Sequence, residues 1–266
     1  MGIYLFLVAT ILSFTPFFVT TNTAFSVQLN GTSSYINAGQ IQPVSDHSIE
    51  LWFKADILDG SIYSKDANSP NRSLYIGLLN TGILRLGTSS NGTSISYWDS
   101  PALIETDTLY HLIAIFHMNG VFEIFLNSNS YSGGNVPATT YDNSIDANFG
   151  RRADGTGYFK GIIYQTAIYS RALTSTDAFI NFASGPNGSL YDNTNLVQRL
   201  KLNEGYGTTA YDTSGNNNDA ALANITWTPN SYSIESSDIF QSPLKYAFIA
   251  IGFLFLAGVI RYWKGY

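Results

Sequence analysis

Cysteine is absent from the 266 residues, and charged residues make up only 12% of them. The absence of cysteine excludes disulfides, thiolate zinc sites and cysteine nucleophiles together. An exported domain without disulfides therefore depends on core burial for its stability. Lysine and arginine form no cluster and the net charge is −6, so the composition gives no support for a nucleic-acid partner.

The sequence does contain many short segments in which apolar residues recur at every second position. Phe25, Val27 and Leu29 alternate with polar residues, and similar runs cover residues 49–53, 73–78, 83–87, 109–117, 121–126 and 161–169. Asn-Gly and Asp-Gly pairs separate these runs, and residues 117–120 are typical of a hairpin turn. This pattern predicts an all-β sandwich or jelly roll.

One short helix interrupts the strand pattern. Thr174 and Asp177 form a capping box before the apolar residues 178–182, and Gly185 with Pro186 ends the helix. The helix has one or two turns, so we interpret it as an accessory to the sandwich.

Both ends of the chain are apolar. Residues 2–19 resemble a signal peptide, with a candidate cleavage site after Ala24, and an uncleaved N-terminal anchor is the alternative. Residues 246–260 carry no charge; at 1.5 Å per residue they span about 22 Å, and Lys245, Arg261, Tyr262 and Trp263 flank them. We therefore predict a spacer over 228–241, a transmembrane helix over 242–262 and a tail over 263–266. The positive charges of Arg261 and Lys264 place the C-terminal end in the cytoplasm and the sandwich outside the cell.

The order of the segments resembles the laminin-G-like (concanavalin A-like) jelly-roll family. The opening FSVQLNGTSSYINAG is similar to the first strand of that family, and HSIELWFKAD, LYHLIAIF and FEIFLNS are similar to later strands. The most specific match is GTGYFKGIIYQTAIYSRALTSTD, which includes the run Ile168–Leu173. The resemblance implies a concanavalin A-like jelly-roll sandwich over residues 25–227.

A second segment also resembles the family but has an unusual position in the chain. LKLNEGYGTTAYDTSGNNNDAALANITW (residues 200–227) is similar to a segment that precedes the first strand in the family, whereas here it follows the helix. Either residues 196–227 are a permuted terminal segment that completes the same sheets, or a second, truncated domain begins there. We favour the first alternative, because strands that cannot bury a face alone pair with those already present.

The carboxylates do not form the pair that a glycosidase of this fold requires. Glu50 and Glu123 stand alone on predicted strands, and we interpret both as residues of solvated strand faces. We therefore predict that the protein is not an enzyme. His111 stands where the family has a strand histidine, which implies a hydrogen-bonding role in the core.

The resemblance also implies a structural calcium ion, which needs hard oxygen ligands. The family's carboxylates are replaced here by Tyr164, Gln165 and Asn30. Asn30, Glu204 and Asp212 are the candidates for a replacement calcium site. We favour the alternative that Asp212 makes an Asx-turn with the backbone around Ser214.

Relatives with this fold bind ligands through loops, and the loops 66–72, 89–100 and 131–143 are rich in aromatic residues, Asn and Asp. Tyr97, Trp98 and Tyr131 are the candidate ligand-binding residues, and packing at the sheet edge is the alternative role for them. Five glycosylation sequons are present: Asn30, Asn71, Asn91, Asn187 and Asn224.

These features favour a membrane-anchored surface protein that binds a glycan or a surface protein without catalysis. A structural envelope protein, such as a virion spike or a surface-layer partner, is the first alternative. A carbohydrate-active enzyme is the second. Fold alone does not decide among them.

Overall fold

The structure is a computed structural model that describes residues 24–41 and 45–230. The predicted signal peptide or anchor up to residue 23, the membrane helix 242–262 and the tail 263–266 lie outside the described residues. Of the predicted spacer 228–241, residues 228–230 are part of a strand, and the rest also lies outside the described residues. Within the described ranges, no helix combines the length and the apolarity needed to cross a membrane.

Strands dominate the described part of the chain, with one helix near its C-terminal third. In chain order the elements are β1 (Ala24–Asn30), β2 (Tyr35–Gly39), β3 (His47–Ala55), β4 (Gly60–Ser64), β5 (Tyr75–Leu78), β6 (Ile83–Thr88), β7 (Ser96–Leu103), β8 (Leu109–Phe116), β9 (Phe122–Leu126), β10 (Asn129–Gly133), β11 (Ala147–Phe149), β12 (Lys160–Tyr169), α1 (Ser175–Ser184), β13 (Leu196–Leu200), β14 (Thr209–Ala210), β15 (Ala220–Ala223) and β16 (Thr226–Asn230).

The strands form two antiparallel sheets packed face to face. The first has the order β10-β9-β8-β3-β12-β1-β16, with β13 also paired to β12, and the second has the order β14-β15-β2-β11-β4-β5-β6-β7. Alternating apolar residues from both sheets, such as Leu51 and Phe53 of β3 and Ile76 of β5, are fully buried between them. The prediction of an all-β jelly-roll sandwich with one short helix is confirmed.

The strands after the helix belong to the same two sheets. β13 pairs with β12, β16 pairs with β1, and β15 pairs with β2. Leu200, Leu202 and Leu222 from this segment lie in the core between the sheets. Residues 196–227 therefore bury their apolar side chains against strands that precede the helix.

Helix α1 covers part of the outer face of the first sheet. Thr174 is its N-cap, and its side chain and that of Asp177 form the capping box that the sequence predicts. Arg171 holds the Asp177 carboxylate through two bonds of 3.0 and 2.9 Å. Phe182 stacks on Trp52 of β3, with ring centroids 5.7 Å apart, so the helix buries a second apolar layer against the sheet.

Candidate functional site

Glu50 is fully buried, and the prediction of a solvated strand face is wrong for it. Nε2 of His111 lies 2.8 Å from Glu50 Oε1, and Nδ2 of Asn181 donates to Oε2 at 3.0 Å. Alternation along β3 does put Glu50 on the outer face, but helix α1 covers that face. His111 has the core role that the sequence predicts. The enclosed Glu50 carboxylate joins the helix to the sheet.

Glu123 lies on β9 and is bonded to two neighbouring side chains. His117 Nε2 lies 2.9 Å from one carboxylate oxygen, and the Ser130 hydroxyl donates to the other at 2.8 Å. These contacts connect Glu123 to the hairpin turn and to β10. The geometry fits a structural role at the end of the sheet.

The three candidate calcium ligands are not brought together. Asn30 pairs with Lys160 at one end of β12. Asp212 bridges to Leu200, which pairs with β12 at Thr166, six residues further along that strand. Six residues of strand correspond to about 20 Å. Among the described residues, no three His, Asp or Glu side chains are grouped so that they could hold a metal ion.

Backbone amides bond to at least one side-chain oxygen of each of these residues, while Glu204 Oε2 is enclosed without a hydrogen-bond partner. Asn30 Oδ1 accepts three backbone N–H groups of the following turn, and Glu204 Oε1 accepts the N–H of Tyr211. Asp212 accepts N–H groups from Arg199, Ser214 and Asn218. These bonds keep the pKa of Asp212 below its usual value although burial opposes the shift. The bond from Ser214 is the Asx-turn that the sequence indicates.

The sequons differ in accessibility. Asn30, Asn91 and Asn224 are exposed, whereas Asn71 and Asn187 are half-buried. The side-chain nitrogen and oxygen of Asn187 are both enclosed by protein atoms. Asn91 lies next to the loop that carries Arg72, because the Arg72 N–H donates to the carbonyl of Gly92.

The three candidate ligand-binding aromatics lie on strands, so their prediction as loop residues is wrong. Tyr97 and Trp98 belong to β7, and Tyr131 belongs to β10. Neighbouring residues of a strand point to opposite faces, and Trp98 points inward, where its ring stacks on Phe122 at 6.4 Å. Tyr131 also packs against the core. Only Tyr97, which is 44% exposed, remains as a large solvent-facing ring of this set.

Tyr97 belongs to a group on the outer face of the second sheet that we call the tyrosine face. Its members are Tyr97 and Asp99 of β7, Arg85 and Gly87 of β6, Tyr75 and Gly77 of β5, and the neighbouring Arg72. Tyr97 packs directly over Gly87, where a Cβ atom would lie 2.7 Å from its ring carbons. The ring of Tyr75 meets it edge-on at 6.2 Å, so the two tyrosines cover adjacent strands.

Arg85 and Asp99 hold each other in a fixed position beside Tyr97. Nε and Nη2 of Arg85 donate to the two Asp99 oxygens at 2.7 and 2.8 Å. These bonds lower the pKa of the Asp99 carboxyl below its usual value, although partial burial opposes the shift. The Arg85 guanidinium carbon lies 5.3 Å from the centroid of the Tyr97 ring, within cation–π range.

A buried carboxylate organises the other side of the tyrosine face. Asp66 accepts a bond of 2.8 Å from Nη2 of Arg152, and Nη1 of Arg72 lies 3.6 Å away. Burial raises the pKa of Asp66, while the two arginines favour its ionised form. The same Nη1 of Arg72 donates to the Tyr97 hydroxyl at 3.4 Å. Arg72 thus connects the loop 66–72 to the exposed tyrosine.

Three members of the tyrosine face, Tyr75, Arg85 and Asp99, were not among the candidates predicted from the sequence, and neither was the adjacent Arg152. Tyr75 and Arg85 nevertheless fall within the predicted runs 73–78 and 83–87. Both residues occupy the polar positions of the alternation in those runs. A comparison of the polar positions on neighbouring predicted strands could have identified both residues.

The comparison with known families decides the classification. Residues 30–178 match the family model described as the concanavalin A-like lectin/glucanases superfamily. The chain belongs to this superfamily. The resemblance stated from the sequence is confirmed, and the match includes every residue of the tyrosine face. No curated protein matches the chain.

Solved structures share the fold at low sequence identity. A putative carbohydrate binding protein from Bacteroides ovatus ATCC 8483 is 15% identical, with a TM-score of 0.59 over 80% of this chain and 62% of that chain. Domain 4 of AbnA, a GH43 extracellular arabinanase from Geobacillus stearothermophilus, is 24% identical, with a TM-score of 0.46 over 59% of this chain and 76% of that chain. Domains LG4-5 of the mouse laminin alpha1 chain are 13% identical, with a TM-score of 0.43 over 57% of this chain and 44% of that chain. The chain thus spans less than two thirds of the Bacteroides protein, and the likeness to that protein shows the fold alone.

Proposed function

We propose that the protein is a membrane-anchored recognition protein that binds glycans through the tyrosine face without catalysis. The fold supports this proposal, because superfamily neighbours include a protein described as a putative carbohydrate binding protein. On this chain, the tyrosine face is the proposed binding site.

The observation that carries the proposal is the solvent-facing ring of Tyr97, set among immobilised hydrogen-bonding groups. Sugars present C–H faces that pack on aromatic rings and hydroxyls that need donors and acceptors close by. Tyr97 supplies the ring, while Arg85, Asp99 and Arg72 supply the polar groups. Because β5, β6 and β7 are paired strands, these groups keep a fixed spacing.

The carboxylates next to this face support a non-catalytic role. Asp99 is held by two hydrogen bonds from Arg85, which lower the pKa of its carboxyl. A general acid needs a proton near neutral pH, and a carboxyl whose pKa is lowered has lost that proton. Glu50 is enclosed beneath helix α1.

The membrane anchor in this proposal comes from the sequence. The uncharged residues 246–260, flanked by Lys245 and by Arg261, Tyr262 and Trp263, have the composition of a membrane-spanning helix. The sandwich then faces the outside of the cell and the tail 263–266 lies in the cytoplasm. Resistance of the protein to extraction by high salt and alkali, with release by detergent, tests this part.

Glycan-array binding of the full-length protein tests the tyrosine face. We expect Tyr97→Ala to weaken binding by about tenfold or more, the equivalent of about 1.4 kcal/mol. Trp98→Phe is the matched control, because residue 98 is the neighbouring aromatic on the opposite face of the same strand. A glycan that binds Tyr97→Ala and the parent protein equally would contradict the proposed site.

A further inference from the structure

We infer that the ligand of the tyrosine face carries a carboxylate, as a uronic acid residue does, and that Arg72 binds this group. The inference rests on the proposed function and specifies its ligand. The guanidinium groups of Arg85 and Arg72, both close to Tyr97, differ in whether a carboxylate of this chain binds their Nε–Nη2 edge.

Arg85 shows how this chain binds a carboxylate at the tyrosine face. Its Nε and Nη2 atoms form two parallel bonds, of 2.7 and 2.8 Å, to the oxygens of Asp99. This arrangement uses the planar edge of the guanidinium that matches the spacing of carboxylate oxygens. Arg85 therefore has its partner within the chain.

Arg72 presents the same edge without a partner. The contacts of its guanidinium with the described residues all involve Nη1, which lies 3.4 Å from the Tyr97 hydroxyl and 3.6 Å from Asp66. Across residues 24–41 and 45–230, no hydrogen-bond acceptor pairs with Nε or Nη2 of Arg72. The side chain is 26% exposed, so solvent reaches it.

The charge of Arg72 is also incompletely neutralised. Asp66 is the only carboxylate close to it among the described residues, and Asp66 is 1% exposed and makes its shorter bond, of 2.8 Å, with Arg152. Arg152 has a second carboxylate, Asp154, at 3.4 Å from its Nη1, whereas Arg72 has only the shared Asp66 at 3.6 Å. The charge of Arg72 is therefore offset only by a carboxylate that lies beyond hydrogen-bond distance and is shared with Arg152.

The position of Arg72 fixes how a ligand would lie. Nη1 bonds to the hydroxyl of Tyr97, so the guanidinium lies at the hydroxyl end of that ring and its Nε–Nη2 edge faces away from the hydroxyl. A sugar stacked on Tyr97 would reach this edge with a substituent that extends beyond the hydroxyl end of the ring. A carboxylate there gains two charge-assisted hydrogen bonds, whereas a neutral hydroxymethyl group accepts only one.

Matched polysaccharides test the inference with the full-length protein in mild detergent. Polygalacturonate and its fully methyl-esterified form share a backbone and differ only at the carboxyl group, which is a charged carboxylate in one and a neutral methyl ester in the other. We expect calorimetry to show at least tenfold tighter binding of the acid form, weakened as sodium chloride rises from low to high concentration. Equal, Tyr97-dependent binding of both forms overturns the inference and leaves the proposed function intact. If neither form binds and no neutral glycan on an array binds, both the inference and the proposed function are overturned.

Arg72→Gln and dextran sulfate complete the test. We expect Arg72→Gln to remove the preference for the acid form, while Lys54→Gln, which deletes an equal charge from the other sheet, keeps it. If Arg72→Gln still binds the acid form more tightly than the ester, another residue binds the carboxylate, and the proposed role of Arg72 is overturned. Dextran sulfate that binds as tightly as polygalacturonate overturns the assignment to carboxylate. The esterification comparison uses the parent protein, so it stands even if Arg72→Gln fails to fold.

Discussion

Acidification should destabilise the sandwich through His47. This residue is fully buried at the start of β3, where its ring stacks on Phe116 at 4.8 Å. Nδ1 contacts the carbonyl of Ser45 at 2.9 Å, whereas Nε2 is enclosed without a partner. Burial lowers the pKa of His47 from 6.5 to about 4, against the smaller opposing effects of the Ser45 carbonyl and Asp46.

The sign and size of the effect follow from this pKa. Between pH 6.5 and about 4 the unfolded chain binds a proton at His47 that the folded chain does not, so stability falls as the pH falls. A pKa difference of about 2.5 corresponds to about 3 kcal/mol once the pH is below 4. By pH 5, about 2 kcal/mol of this is already lost.

Urea unfolding followed by tryptophan fluorescence at pH 7, 6 and 5 measures this loss. His47→Phe is the matched variant, because it keeps an aromatic ring against Phe116 and removes the proton. We expect the free energy of unfolding to fall between pH 7 and 5 by about 2 kcal/mol more in the parent protein than in His47→Phe. Equal losses in both proteins would refute the assignment to His47, since other groups would then carry the whole effect.

Two substitutions test other parts of the structure. Gly87 has no positive φ, so Gly87→Ala should change the free energy of unfolding by less than about 1 kcal/mol, but its Cβ displaces the Tyr97 ring and should weaken glycan binding several-fold. Unchanged affinity in calorimetry would contradict the role of Tyr97. Glu50→Ala leaves His111 and Asn181 buried without their partner and should reduce the stability in urea unfolding by about 3 kcal/mol or more. A loss below about 1 kcal/mol would contradict the structural role of Glu50.

Local patterns in the sequence predicted most of the fold. Alternation in β1, β3, β8 and β9, the turn at Asn119 and the capping box at Thr174 all depend on residues close together in the chain. The order of the segments along the chain carried the resemblance to a known family, which implied the jelly-roll sandwich. The structure agrees because these short-range preferences and the long-range packing favour the same elements.

The candidate site was harder to predict, because its residues depend on contacts between distant segments. The composition of residues 96–100 indicates a loop. Pairing with β6 nevertheless makes these residues part of β7 and directs the Trp98 side chain toward the core. Glu50 has a polar position on β3, but Asn181, which lies 131 residues later, covers it. The alternation of one strand shows which face a residue occupies and cannot show what covers that face.

The placement of Tyr97 and Arg85 on paired strands affects the thermodynamics of recognition. A loop that orders around a ligand loses conformational entropy, about 0.5–1.5 kcal/mol for each side chain it immobilises. Here the Tyr97 ring already packs on Gly87, and Asp99 already clamps Arg85. A ligand therefore meets a rigid template, and changing its specificity requires replacing side chains on the sheet.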